Sequence, residues 1–337
     1  MIPALERAVE LAIGAMLVGL ALWSVLVRPR FASIVGFVVF GLLLMLAWMR
    51  LGAPDVAMTE GAIGSGLAGF LLLSAAARLR CSEIRRARIG AGEPQRARDR
   101  SPRRSSIVAL GVGCAAVAAA LAAAVAALPH PAPSLAPAAL ERLPELGIGN
   151  PVSGVLIGFR ALDTLVEKIV LVVALVGVWG LAAEASWRRA PSVDPSPEIE
   201  PIRFLARALP PVGIVLAIYL LWRGATEPGG AFPAGAILAA MAVLVLAAGL
   251  GRLPPTAARS LRLAICAGPL VFLGVGGLGM GVARGFLDYP AGFEVLSIKL
   301  IEVLLTGSVA VVLLLLVAGP PEEAASANGM RRPEPPL

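Results

Sequence analysis

Lys168 and Lys299 are the only lysines of the chain, and each lies inside an otherwise apolar stretch with carboxylates close by. Asp163 and Glu167 precede the first, and Glu294 and Glu302 bracket the second. The other 27 basic residues are arginines, nearly all at the ends of apolar stretches or between them. Arginine keeps its proton in proteins, whereas a buried lysine can release it. Titratable cations therefore sit within hydrocarbon-like segments, and permanent charge sits at their edges. Ionisable groups inside membrane spans are costly, and by default they mark an ion or proton pathway.

The spacing at the two lysines differs. Lys299 and Glu302 are three apart, share a helix face and can pair directly. A lone charge at that depth costs roughly 2.5–3.5 kcal/mol on insertion scales. Pairing lowers that cost, so a purely structural ion pair is the competing reading. Against it, stability rarely favours a buried pair over apolar packing. Asp163 and Glu167 are four apart on one face, but Lys168 is turned by about 100° from Glu167. That rotation predicts poor facing between the two, with Thr164 as the hydroxyl within reach of Lys168. The competing reading for Lys168 is an ammonium that snorkels to the membrane interface.

Two further constellations stand out. In the stretch from Leu51 to Leu67, Pro54 suits a first helical turn and Asp55 the positive end of a helix dipole. Glu60 falls about two turns further in, followed by Gly61, Gly64 and Gly66. Such a small-residue seam admits a neighbouring helix closely. A carboxylate beside it can be buried and exchange protons, or simply hydrogen-bond locally near the interface. The stretch from Trp222 to Gly235 contains Gly224, Glu227, Pro228, Gly229, Gly230 and Phe232. It predicts a compact re-entrant or tight loop with backbone groups available for packing or ion coordination. A Pro-Gly-Gly run by itself marks only a turn.

The elements that must position these residues are long apolar helices. Apolar residues make up 58% of the 337, and charged residues only 15%; the mean hydropathy is +0.85. Nine runs approach the roughly 20 residues that span a bilayer. They are Leu5–Val27, Phe31–Met49, Val56–Leu79, Ile107–Leu128, Leu162–Ala183, Ala208–Trp222, Phe232–Leu250, Leu261–Val282 and Val295–Ala318, the sixth being short. The expected fold class is all-α: a polytopic transmembrane helical bundle of about nine spans. A transmembrane barrel would need strands that alternate polar and apolar over about ten residues. The arginine-rich linker Arg78–Arg104 sets the orientation. With it in the cytoplasm, 21 of the 27 arginines lie inside, the N-terminus is outside and the C-terminus is cytoplasmic.

Other function classes fall away. The net charge of +7 follows the loops and does not argue for nucleic acid. Cys81, Cys114 and Cys266 lack metal-ligand spacing, so no zinc, haem or iron–sulfur site and no cofactor is expected. The only histidine, His130, lies in a Pro-rich loop (His130–Pro151) and is read as solvated. No phosphate loop and no nucleophile–base arrangement with a histidine is present, so no enzyme chemistry is expected. The first apolar run has no basic n-region or clear cleavage site and is read as a retained span.

Three of these motifs resemble one family. The run Gly52–Gly64 (GAPDVAMTEGAIG) looks like the D-V-A-x-T-E-x-x-x-G signature of a small membrane domain. That domain ends the large A subunit of Mrp-type multisubunit cation/proton antiporters and also occurs as a separate subunit of related membrane-bound hydrogenases. Phe159–Glu167 (FRALDTLVE) resembles the F-R-x-x-D-T-x-x-E pattern of the next small module in those complexes. Arg223–Phe232 (RGATEPGGAF) resembles the G-H-N-x-P-G-G-G-F loop of the antiporter B subunit. The ninth span, with Ile298–Glu302 (IKLIE), is less specifically similar to the last helix of that module. The family's loop histidine is Ala225 here and its third loop glycine is Ala231, so no role of that histidine carries over. Lys168 is not part of the pattern.

The resemblance implies a fusion in the order of those complexes: an A-subunit-tail-like domain at 1–80, a basic linker at 81–104, a small two-helix module at 105–185, a polar linker at 186–204, a B-subunit-like four-helix domain at 205–318 and a disordered tail at 319–337. It implies a multi-pass inner-membrane subunit of a sodium(cation)/proton antiporter. Its partners would be the other membrane subunits, the bilayer, protons and sodium. Glu60 is the first candidate for the pathway, with Asp55, Asp163, Glu167, Lys168, Lys299 and Glu302. The alternatives are a scaffold subunit in the membrane arm of a related redox-driven complex, and an independent small-molecule transporter, which transport by the purified chain would support.

Overall fold

The computed structural model describes residues 2–88, 104–129, 131, 133–182, 186, 189–191, 193, 200–283 and 285–321. The expectations for His130, for much of both polar linkers and for the tail from residue 322 onward lie outside the described residues. Every regular element among the described residues is helical, and none is a strand.

Helix α1 (Ile2–Leu26) stops just before Arg28-Pro29, and Pro29 caps α2 (Arg30–Arg50) in an extended conformation. Pro54 opens α3 (Pro54–Thr59) at its first turn, as its fixed φ favours. α3 runs through a π-helical stretch, Glu60–Leu67, into α4 (Ala68–Arg88). Then follow α5 (Arg104–Ala126), α6 (Ala136–Arg142) with a 3-10 turn at Leu143–Leu146, and α7 (Pro151–Ser153), which continues as a second π-helical stretch, Gly154–Phe159. The remaining helices are α8 (Ala161–Trp179), α9 (Glu200–Arg223), α10 (Ala231–Ala247), α11 (Arg259–Val282) and α12 (Glu294–Ala318).

All nine apolar runs form helix, and among the described residues seven helices are long and apolar enough to cross a membrane. The fifth and seventh runs do not meet that measure. α8 is 19 residues long but carries Asp163, Glu167 and Lys168. α10 has 17 residues, about 26 Å of helix against a hydrocarbon core of about 30 Å. The sixth run, short in sequence, belongs to a 24-residue helix that passes through Pro210 and Pro211. Its polar opening turns, with Arg203 and Arg207, hid that length from the apolar pattern.

The chain forms two compact units, Met1–Leu73 with Glu141–Leu337, and Ser74–Leu140. In the second, α5 is exposed along its described length. The first is organised on α12, which supplies residues to three apolar clusters. Ile298, Ile301 and Leu305 pack with Leu165, Phe272 and Tyr289; Val309, Leu313 and Val317 with Ala239 and Val243; Val312 and Leu315 with Leu175, Trp179 and Ile265. Among membrane helices such contacts depend on close packing, because lipid is as apolar as the side chains. Small residues permit it here: a Cβ on Gly235 would stand 3.0 Å from the Thr306 carbonyl oxygen, and one on Gly268 3.0 Å from the Ser308 Cβ. The Ser308 hydroxyl then donates to the Ile265 carbonyl at 2.5 Å, tying α12 to α11.

Candidate functional site

The chemistry-bearing residues converge on one cleft of about 260 Å³ in the first unit. Asp55 and Thr59 reach it from α3, Ser153 and Ile157 from α7 and its π-helical extension, and Glu167 and Lys168 from α8. Gly229, Gly230 and Phe232 reach it from the turn into α10, and Glu302 from α12. Seven of the residues singled out from sequence therefore share one site: Asp55, Glu167, Lys168, Gly229, Gly230, Phe232 and Glu302.

Local geometry builds that turn tightly. Gly230 has φ 104°, a left-handed value that disfavours side chains. A Cβ on Gly224 would run into the backbone nitrogen of Gly230, and one on Gly229 would stand 2.5 Å from the Leu220 carbonyl oxygen. The turn is held from two sides. The Gly229 N–H donates to Asp55 Oδ1 at 2.9 Å, joining residues 174 apart in sequence. Asn150 Nδ2 donates to the carbonyls of Glu227 at 2.9 Å and Gly224 at 3.2 Å, and the Ser153 hydroxyl donates to Gly224 at 2.6 Å. Asn150 Oδ1 meanwhile accepts from the Val152 N–H and so caps α7. The loop is thus a packed turn. Its outer residues are less engaged: Glu227 is exposed and pairs with Arg223, and Pro228 is exposed.

Lys168 does not snorkel. It is 5% exposed, its ammonium bonds Glu167 Oε1 at 2.9 Å, and it stands 4.2 Å from the centre of the Phe232 ring. The expectation of poor facing fails because a lysine side chain is long enough to fold back across 100° of helix. Thr164 is not its partner; that hydroxyl donates to the Leu156 carbonyl at 2.6 Å. Lys299 pairs with Glu302 Oε2 at 2.9 Å, as three-residue spacing implies, and lies 3.4 Å from the carbonyl oxygens of Leu221 and Trp222 at the end of α9. Those carbonyls are the negative end of that helix. Glu302 is 1% exposed.

Two sequence candidates lie outside the cleft lining. Asp163 is exposed and pairs with Arg160. Glu60 is half-buried, opens the first π-helical stretch and folds its carboxylate over Gly64, where a Cβ would collide with it. The glycine seam beyond it does receive a neighbour: Gly61 faces the Met45 sulfur, and Ser65 packs on Gly41 of α2. Neither lysine pairs with Glu60; each takes a carboxylate from its own helix.

Sequence reasoning missed Asn150, Ser153 and Tyr289. Asn150 carried a local signal, a capping side chain immediately before a helix-opening proline. Tyr289 carried none: its buried hydroxyl donates to the Ile157 carbonyl at 2.7 Å, 132 residues away. Burial, and after it the charge of Glu302, push that hydroxyl above the ordinary phenol range.

Known proteins share these segments. Residues 15–80 match the MbhD family of MBH subunits, and residues 201–322 match a domain related to the MnhB subunit of Na+/H+ antiporter. Asp55 and Glu60 fall in the first range, Gly229, Phe232, Lys299 and Glu302 in the second, and Lys168 between them. A chain in the structure of the Mrp complex from Dietzia sp. matches 93% of this chain at 22% identity, with a TM-score of 0.68. The match covers 35% of that chain, so the present chain spans about a third of its relative's length and shares its fold there. A chain of the membrane-bound sulfane sulfur reductase, an archaeal respiratory membrane complex, matches 63% of this chain at 21% identity and a TM-score of 0.49, over 98% of its own length. No curated protein matches the chain. One polypeptide, with seven helices among its described residues long and apolar enough to cross a membrane, thus carries an MbhD-like segment followed by a domain related to the MnhB subunit of Na+/H+ antiporter.

Proposed function

We propose that this chain is a membrane subunit of a Mrp-like sodium(cation)/proton antiporter and that its cleft forms part of the ion or proton pathway. The observation that carries this reading is the convergence of Asp55, Glu167, Lys168 and Glu302 on one cleft from three distant parts of the sequence. Buried charge is expensive in a membrane interior and is retained there mainly for ion or proton movement. In this reading Glu302 and Lys299 form one charge pair, Glu167 and Lys168 a second, and Asp55 fixes the turn between them. Glu60 stands as a separate carboxylate on the α2 seam, and Asp163 as an outer one. The remaining antiporter subunits are the partners, and sodium and protons the cargo.

Replacing Glu302 by Gln tests this. Lys299 keeps the α9 carbonyls as acceptors, so the complex is expected to assemble on blue-native gels while sodium/proton antiport in everted vesicles is lost. Unchanged antiport in an assembled complex would remove Glu302 from the pathway. The same assay on Glu60→Gln decides the separate role of that carboxylate. A scaffold role in a related redox-driven membrane arm is the second reading, and the Asp55–Gly229 and Asn150 contacts favour it. Under it, the variants would lose assembly and antiport together.

A further inference from the structure

The polar groups that line the cleft are almost all acceptors. Asp55, Glu167 and Glu302 contribute carboxylates. Three hydroxyls line it too, and each spends its proton on a backbone carbonyl: Thr59 on Asp55 at 3.0 Å, Ser153 on Gly224 at 2.6 Å and Thr164 on Leu156 at 2.6 Å. Such hydroxyls can offer an incoming ligand only lone pairs. The donor side chain in the lining is Lys168, whose ammonium has three N–H groups but one acceptor, Glu167 Oε1, among the described residues. Its other contact is the face of Phe232, which attracts cations of any kind. The Glu167 side chain is 53% exposed, against 6% for that of Lys168, so the pair runs from the mouth of the cleft to its interior. These surroundings suit a small cation, and Lys168 already occupies them.

We propose that the Lys168 ammonium is a built-in competitor for a small monovalent inorganic cation, which enters the cleft only as Lys168 gives up its proton to water. One proton then leaves for each cation bound, and the charge of the site is unchanged. The inference rests on the reading of the cleft as an ion pathway and adds to it the group that enforces exchange. The other charged groups facing the position are Asp55 from α3, held by the Gly229 N–H, and Glu302 from α12, neutralised by Lys299. The Tyr289 hydroxyl is engaged with Ile157. The lining of α7, its π-helical extension and α10 contributes no titratable group.

The test is calorimetric titration of the full chain in lipid nanodiscs with sodium chloride between pH 7 and pH 9, against choline chloride. The wild-type affinity is expected to rise about tenfold per pH unit, the slope for loss of one proton. Weakly buffered titrations should release about one proton per sodium ion, a readout that needs no variant. Lys168→Gln should remove the pH slope, and Lys168→Arg, permanently charged, should reduce sodium binding to the choline background throughout. A slope that survives in Lys168→Gln, or sodium binding without proton release in the wild type, overturns the exchange inference and leaves the pathway reading standing. Absence of sodium binding above the choline control in every form overturns both.

Discussion

Asn150 does the work of three contacts with one side chain: it caps α7 and donates twice to the turn that carries Gly229 and Phe232. Each buried hydrogen bond is worth about 1 kcal/mol net, with a further cost for carbonyls left unsatisfied. Asn150→Ala is therefore expected to destabilise the chain by about 2–3 kcal/mol, seen as a lowered Tm in detergent by circular dichroism. An unchanged Tm would show that the latch is redundant. At this scale the sequence was legible wherever partners were neighbours on one helix. Lys299 and Glu302 were readable from a spacing of three. Lys168 was not, because Cα rotation alone ignores how far its side chain can bend, and because Phe232 lies on another helix. The side chains that hold the turn sit 71 to 174 residues from it, beyond any local rule.

Among the elements, the π-helical stretch Glu60–Leu67 sets how α4 faces its neighbours. Leu67 and Phe70 pack on the cluster that α10 and α12 share. Deleting Ile63 removes about one residue of rotation, roughly 100°, and should turn Leu67 and Phe70 out of that cluster. The expected result is retained helical content with a Tm lowered by several degrees; an unaltered melt would mean the stretch is incidental. Apolar periodicity located this helix but carried no sign of its wider turns, since a helix with an extra residue per turn keeps a broad apolar face. The turn before α10 is stricter. Gly224→Ala places a Cβ on the Gly230 backbone and should abolish the monodisperse peak in size-exclusion chromatography, whereas Pro228→Ala, at an exposed position, should leave it intact.

For the molecule as a whole, two segments matched to different subunit families meet in one cleft, through a hydrogen bond from Gly229 to the Asp55 carboxylate. Fragments 1–88 and 104–337 expressed together are expected to co-purify from membranes. Asp55→Ala should lower the recovered partner about tenfold, in line with the roughly 1.5–3 kcal/mol of a hydrogen bond to a charged group. Equal recovery would show that apolar packing alone joins them. The helical membrane class was legible from composition, and the likeness to MbhD and MnhB-related segments from two short motifs, around Glu60 and around Gly229. Their meeting point was not, because it depends on which helix faces which, and α12 settles that through three separate clusters.

The placement of Glu302 on the last described helix also fixes an order in time. A chain made from its N-terminus delivers Asp55 first, then Lys168, then the turn at Gly229, and Glu302 last. Until α12 enters, the first two charges lack the neighbours that enclose them, and only a waiting partner or a lingering insertion machinery can shelter them. Of the elements that line the cleft, the last to arrive is the one that completes it.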